Sequence, residues 1–152
     1  MLLAVDVGLR TGLSCYDRSG RLLWYRSHNL GNASRLRRAA AALLREYAPT
    51  VLALEGGGDL TRIWLTEART RNIPVLQMGA EKWRKALLPY KDRLSKDIAK
   101  KAADLHARKV ISASGAKKPT SLRHDAAEAV LIGLYAVQQL GWTESLHQTG
   151  PL

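Results

Sequence analysis

The twelve residues AAEAVLIGLYAV, from Ala126 to Val137, contain a single charge, Glu128. A helix this apolar around its whole circumference has to be packed into a core rather than laid on a surface. Yet its first turn also carries His124 and Asp125. Carboxylates are rarely buried without a partner, because desolvating the charge costs more than packing returns. Something must therefore sit opposite Asp125 and Glu128.

The rest of the chain supplies the candidates. LLAVDVG (2–8) reads as a buried strand interrupted by Asp6 and ended by Gly8. GLSCYDRSGRLLWYRSHNL (12–30) reads as a hairpin around the turn DRSG. Asn32 or Ser34 can cap a helix running to about Tyr47, with Leu36, Ala40, Leu43, Leu44 and Tyr47 on one face. A short apolar strand (51–54) then meets Glu55 and three glycines. Residues 59–71 fit a helix, IPVLQMG (73–79) a further strand, and 80–88 and 92–109 two basic helices split by Pro89. SASGAKKPTS (112–121) is expected to be a flexible, positive connector, the last helix to cover about 122–140, and residues 143–152 to form a loose tail. Three strands, then strands alternating with helices, predict an α/β domain with a mixed five-stranded sheet flanked by helices. The length of 152 residues suits one such domain.

Charge points to the partner. Lys and Arg number 24 against 13 Asp and Glu, a formal net charge of +11. Residues 80–118 carry twelve of those basic residues against four acids, most of the excess in about a quarter of the chain. A clustered excess suits a polyanion such as nucleic acid, although a solvated basic face is the plainer alternative. Cys15 is the only cysteine, which leaves no intrachain disulfide and no cysteine zinc cluster. The apolar opening has no basic lead and meets Asp6 too early for a signal peptide, and no apolar run reaches the roughly 20 residues of a membrane helix. An intracellular, cytoplasmic setting without a membrane is the expectation.

Four acids remain hard to explain as packing. Asp125 and Glu128, three apart, share a helix face. Asp6 and Glu55 interrupt or end apolar strands. If those strands are neighbours, the four can converge, and four carboxylates cannot all ionise together unpaired. Hard divalent cations resolve that conflict: Mg²⁺ takes oxygen ligands, and one or two such ions can activate water and stabilise a leaving oxygen. Each acid also has a local explanation. Asp6 can form a turn, Glu55 can leave its strand for solvent, Asp125 can be a first-turn acid favoured by the helix dipole, and Glu128 can be a solvated first-turn residue.

AVDVGLRTG (4–12) resembles the Asp-x-Gly-x-x-x-Gly opening strand of RuvC-like Holliday-junction resolvases, of the RNase H-like superfamily. VLALEG resembles their second acidic strand, and HDAAEAVLIGLYA their last helix. The resemblance covers most of the chain in order and spacing. It implies an RNase H-like fold and an enzyme that hydrolyses phosphodiesters in four-way DNA junctions, nicking two opposed strands symmetrically as a homodimer. It implies Asp6, Glu55, Asp125 and Glu128 as catalytic, metal-binding carboxylates holding one or two Mg²⁺, for which Mn²⁺ can substitute. His124 is expected to contact phosphate or to orient a ligand.

Two departures stand out. Glu128 replaces the usual Asp, and Gly58 stands where bacterial members tend to have an aromatic residue; a phage or otherwise divergent member fits both. Trp64 suits a buried helix face better than that aromatic role. Lys82, Arg84, Lys85, Lys91, Arg93, Lys96, Lys100, Lys117 and Lys118 are the expected phosphate contacts, which position DNA without reading sequence. Trp83 and Tyr90, interleaved with them, can stack on bases or anchor helices. Two other functions compete: an RNase H-fold nuclease acting on structured RNA (YqgF-like), and a nucleic-acid-binding module without catalysis.

Overall fold

The computed structural model describes residues 1–142. The expected loose tail, 143–152, lies outside the described residues. Five strands, β1 (Leu2–Asp6), β2 (Arg10–Tyr16), β3 (Leu22–Asn29), β4 (Val51–Glu55) and β5 (Val75–Met78), form one sheet in the order β3-β2-β1-β4-β5. β1 is antiparallel to β2 and parallel to β4, and β4 is parallel to β5. The sheet is therefore mixed and five-stranded, as the order of elements implies.

Helices cover both faces, and strand alternation decides which residues each face receives. Leu3, Val5, Leu52 and Leu54 pack with Leu36, Ala40 and Leu44 of α1 (Ala33–Tyr47) and with Trp64 and Ala68 of α2 (Gly58–Thr70). Asn32 caps α1 by accepting from the Arg35 N–H. Leu2, Ala4 and Ala53 point the other way, towards α3 (Ala80–Leu87), α4 (Lys96–Ser114) and α5 (His124–Gln139). Asp6 shares the parity of Leu2 and Ala4, so its side chain lies on the α3–α5 face.

Two boundaries differ from expectation. Residues 90–93 form a single 3₁₀ turn, and α4 begins only after Ser95, whose hydroxyl accepts from the Ile98 N–H. That cap outweighs the acidic start at Asp92. α4 then continues to Ser114, so the first three residues of the expected connector are helical. The connector is tethered to the hairpin at both parts: the Arg21 guanidinium donates to the Ser114 carbonyl at 2.9 Å and the Tyr25 hydroxyl to the Lys117 carbonyl at 2.5 Å.

α5 is the central helix, packed on β1, β2, β3, β4, α3 and α4. Nine of its apolar residues are buried, together with Glu128. Two glycines let it lie this close. A Cβ on Gly12 of β2 would overlap the Asp125 backbone carbonyl, and one on Gly133 would overlap the Tyr16 ring. β2 then grips the helix through hydroxyls: Ser14 donates to the Ala129 carbonyl at 2.6 Å and Tyr16 to the Val130 carbonyl at 2.5 Å. The beginning of α5 is thereby pinned across β2, beside the end of β1. Because the obstacle at Gly12 is backbone, it cannot be relieved by a rotamer change. Gly12→Ala should cost roughly 3 kcal/mol or more, the upper end of overpacking effects. A urea midpoint equal to wild type would show that α5 does not approach β2 as described.

Candidate active site

Asp6 and Glu55 are register partners at the carboxyl ends of adjacent parallel strands. Partners in a parallel ladder project to the same face, and ligand sites in such sheets gather at these ends. The first turn of α5 lies against this corner. One carboxylate oxygen each from Asp6, Glu55 and Glu128 falls within 4.8 Å of the others. Glu128 is buried at 6% exposure, while Asp6 and Glu55 are half-buried.

The four expected carboxylates do not all converge. Asp125 turns towards the hairpin, where its Oδ2 accepts from the Ser27 hydroxyl of β3 at 2.5 Å. It still contributes its field at Asp6. Burial, followed by the charges of Glu128, Glu55 and Asp125 and a hydrogen bond with Glu128, pushes the Asp6 carboxyl up to about 8. Glu55 is also raised, chiefly by burial, against the opposing effect of a hydrogen bond from Trp83.

α3 supplies the partners of the acids through consecutive residues. The Trp83 indole N–H donates to Glu55 Oε2 at 2.8 Å, and Arg84 Nη2 donates to Glu128 Oε1 at 2.7 Å. His124 Nε2 lies 3.3 Å from the same Glu128 oxygen, one helical turn away. Trp83 is fully buried, so it anchors α3 and orients Glu55 rather than stacking on bases. Trp64 is likewise buried, on the opposite face of the sheet. Tyr90 remains 74% exposed, with the Arg93 guanidinium 5.6 Å from its ring centre.

The basic residues divide into two groups. Lys82, Lys85, Lys91, Lys96, Lys100, Lys117 and Lys118 are exposed, available to a polyanion. Arg84 and Arg93 are half-buried, and Arg84 faces the acids. A cavity of about 430 Å³, lined by Glu81, Arg84, Lys85, Arg93, Ser95, Lys96 and Ala99, adjoins the Arg84 side of the cluster. A second, lined by Lys100, Lys101, Asp104, Leu105 and His124, adjoins the His124 side. The acids therefore sit between two predominantly basic concavities.

The donor set fits a hard divalent cation. It is made of carboxylate oxygens alone, at mutual distances an ion can bridge. Burial first, and then the neighbouring carboxylates, disfavour ionised Asp6, and a bound cation would oppose both. Sequence reasoning missed Ser27, the N–H of Trp83 and the inward turn of Arg84. Only for Trp83 was there a signal, because a Trp at the centre of a short basic helix marks its buried face.

Neither a protein-family model nor a curated protein sequence matches the chain. Solved structures do. RuvC of Thermus thermophilus in complex with a Holliday junction superposes with a TM-score of 0.64 at 19% identity, covering 94% of this chain and 97% of that one. The Fowlpox virus resolvase with its Holliday-junction substrate gives 0.63 at 20% identity, covering 91% and 97%. The yeast mitochondrial Holliday-junction resolvase Ydc2 gives 0.60 at 13%, covering 93% and 80%. The chain has the fold of these proteins over nearly its whole described length. No helix among the described residues is long and apolar enough to cross a membrane.

The raised Asp6 makes a prediction about pH. Its folded value of about 8 lies above the ordinary value of 3.8, so between the two the folded state binds the extra proton. Stability then falls as pH rises through that window. In EDTA, wild type should lose stability relative to Asp6→Asn between about pH 5 and about pH 8. Thermal melts whose difference does not change with pH would contradict this.

Proposed function

We propose that this chain is a divalent-metal-dependent endonuclease that cuts four-way DNA junctions by paired, symmetric nicks. The observation that carries the proposal is the convergence of Asp6, Glu55 and Glu128 between two basic cavities. The solved proteins that share the fold, two of them bound to Holliday junctions, support the choice of substrate. A homodimer follows from the product, because two symmetric nicks need two sites related by a two-fold axis.

Asp6, Glu55 and Glu128 would hold the ion, with Asp125 as the fourth negative charge acting on Asp6. Mg²⁺ or Mn²⁺ bound there supplies an activated water and charge stabilisation at the leaving oxygen. The protein's own groups do the positioning. Trp83 fixes the Glu55 carboxylate, and burial of Glu128 on a pinned helix restricts its rotamers. Such groups keep ligands in place, and losing one commonly costs 10–100-fold. His124, 42% exposed beside Glu128, borders the second cavity and is placed to meet a phosphate oxygen there. The exposed lysines of residues 82–118 supply the salt-dependent affinity for the DNA backbone.

The test compares labelled four-way junction, linear duplex and structured RNA, each with Mg²⁺, Mn²⁺ or EDTA. Paired nicks in the junction alone, abolished by EDTA, are expected. Cleavage of RNA alone would favour the RNA-processing alternative, and cleavage in EDTA would sink the metal mechanism. Asp6→Asn should reduce cleavage by about 100-fold or more while junction binding is kept or tightened, because a ligand and a negative charge are removed together. Normal cutting by that variant would remove Asp6 from the site. Lys85→Ala combined with Lys96→Ala should flatten the slope of log K against log salt by about 0.9 for each phosphate no longer neutralised. An unchanged slope would place the DNA elsewhere.

A further inference from the structure

We infer that Arg84 is a two-position residue. It holds Glu128 while the carboxylates lack a divalent cation, and it turns into the adjoining cavity to hold a DNA phosphate once that cation is bound. This rests on the carboxylate cluster being a divalent-metal site. It adds that the cluster carries its own displaceable counter-ion.

Four observations support it. First, Arg84 holds a carboxylate that the ion would need: its Nη2 lies 2.7 Å from Glu128 Oε1, and Glu128 is one of the three converging carboxylates. A guanidinium and a divalent cation on one carboxylate repel each other, so the two compete for Glu128. Second, the hold on Glu128 is incomplete. Its hydrogen bond to Arg84 comes from one nitrogen, whereas a permanent Arg–carboxylate pair is often a two-bond fork. Arg84 Nε is buried and has no hydrogen-bond partner among the described residues.

Third, a second place for the side chain already exists. Arg84 lines the cavity of about 430 Å³ together with Lys85, Arg93 and Lys96, at the amino end of α4. Glu81 is the only acid in that lining. Three further cations and the N–H groups of a helix start suit a phosphate, and a guanidinium adds a bidentate donor to it. Fourth, the swing has a fixed platform. The guanidinium carbon lies 5.2 Å from the ring centre of Trp83, which is itself buried and tied to Glu55. The movement therefore needs only side-chain rotation over a rigid ring.

Metal binding and DNA binding then assist each other, and the assistance is reciprocal. The metal frees Arg84 for phosphate, and phosphate draws Arg84 away from the metal's carboxylate. A residue that merely braced the fold would produce no such coupling.

Mn²⁺ binding to the DNA-free protein, followed by electron paramagnetic resonance, tests the first position. Arg84→Gln removes the competitor, so its Mn²⁺ dissociation constant should fall about tenfold, equivalent to about 1.4 kcal/mol. Equal or weaker Mn²⁺ binding would overturn the inference. Should the glutamine variant not fold by circular dichroism, Arg84→Lys gives the same comparison. The lysine side chain is shorter and lacks the planar guanidinium that lies by the Trp83 ring, which loosens the hold on Glu128, and unchanged Mn²⁺ affinity there would overturn the inference equally. Junction binding with Ca²⁺ and with EDTA tests the second position. Wild type should bind the junction more tightly with Ca²⁺, and Arg84→Gln should lose most of that gain. Retention of the full gain would show that Arg84 does not move to phosphate. The two levels fail differently: wild type binding no Mn²⁺ removes the metal site itself, whereas equal Mn²⁺ binding by wild type and variant removes only the role of Arg84.

Discussion

Like charge at close quarters is the constraint around which this molecule is organised. Asp6, Glu55 and Glu128 place carboxylate oxygens within 4.8 Å of one another at a corner walled by α3, α5 and the sheet. In water such a cluster would be screened, but partial burial removes much of that relief. The molecule answers with two donors from adjacent positions of α3, the Trp83 N–H to Glu55 and the Arg84 guanidinium to Glu128. Burial and the neighbouring carboxylates together still push Asp6 up to about 8. The in-register pairing of Asp6 with Glu55 and the close seat of α5 over Gly12 both serve to bring charges together that would separate if free to do so.

Much of this was legible in the sequence, for identifiable reasons. Asp6 stands out because it breaks an apolar strand, and Glu55 because it ends one. Glu128 stands out because it is the one charge in residues 126–137, a stretch otherwise apolar on all sides. Each breaks a strong local pattern. The mixed five-stranded sheet follows from the alternation of short apolar runs with helices, whereas the adjacency of β1 and β4 is supplied by the structure. The partners of the acids were less visible. Arg84 is one of twelve basic residues in its segment, and what distinguishes it is the roll of α3 about its axis. Burial of Trp83 sets that roll, and position 84, about 100° further round, then faces α5. Asp125 and Glu128 share a helix face by spacing. Their carboxylates part because Ser27, a hydroxyl in the middle of an otherwise ordinary strand, takes one of them.

The charge distribution has two scales. At long range the chain is strongly positive, and its exposed lysines on α3, α4 and the following connector attract a polyanion. At short range the centre of that surface is negative. A phosphodiester drawn in by the rim would be repelled at the middle unless a cation stands between it and the carboxylates. In the proposed function the basic cavities on either side of the cluster would hold the neighbouring phosphates of a strand crossing it, leaving the acids to be neutralised by an ion. Affinity and chemistry are thus assigned to different residues within one surface.

In the proposed function these three carboxylates bind a divalent cation. The most direct test of that binding is a crystal of the protein soaked in Mn²⁺, with anomalous scattering recorded near the manganese edge. The predicted result is an anomalous peak bounded by Asp6, Glu55 and Glu128, at coordination distance from at least two of their oxygens. A crystal with no peak there, and with Arg84 still on Glu128 at saturating Mn²⁺, would contradict it.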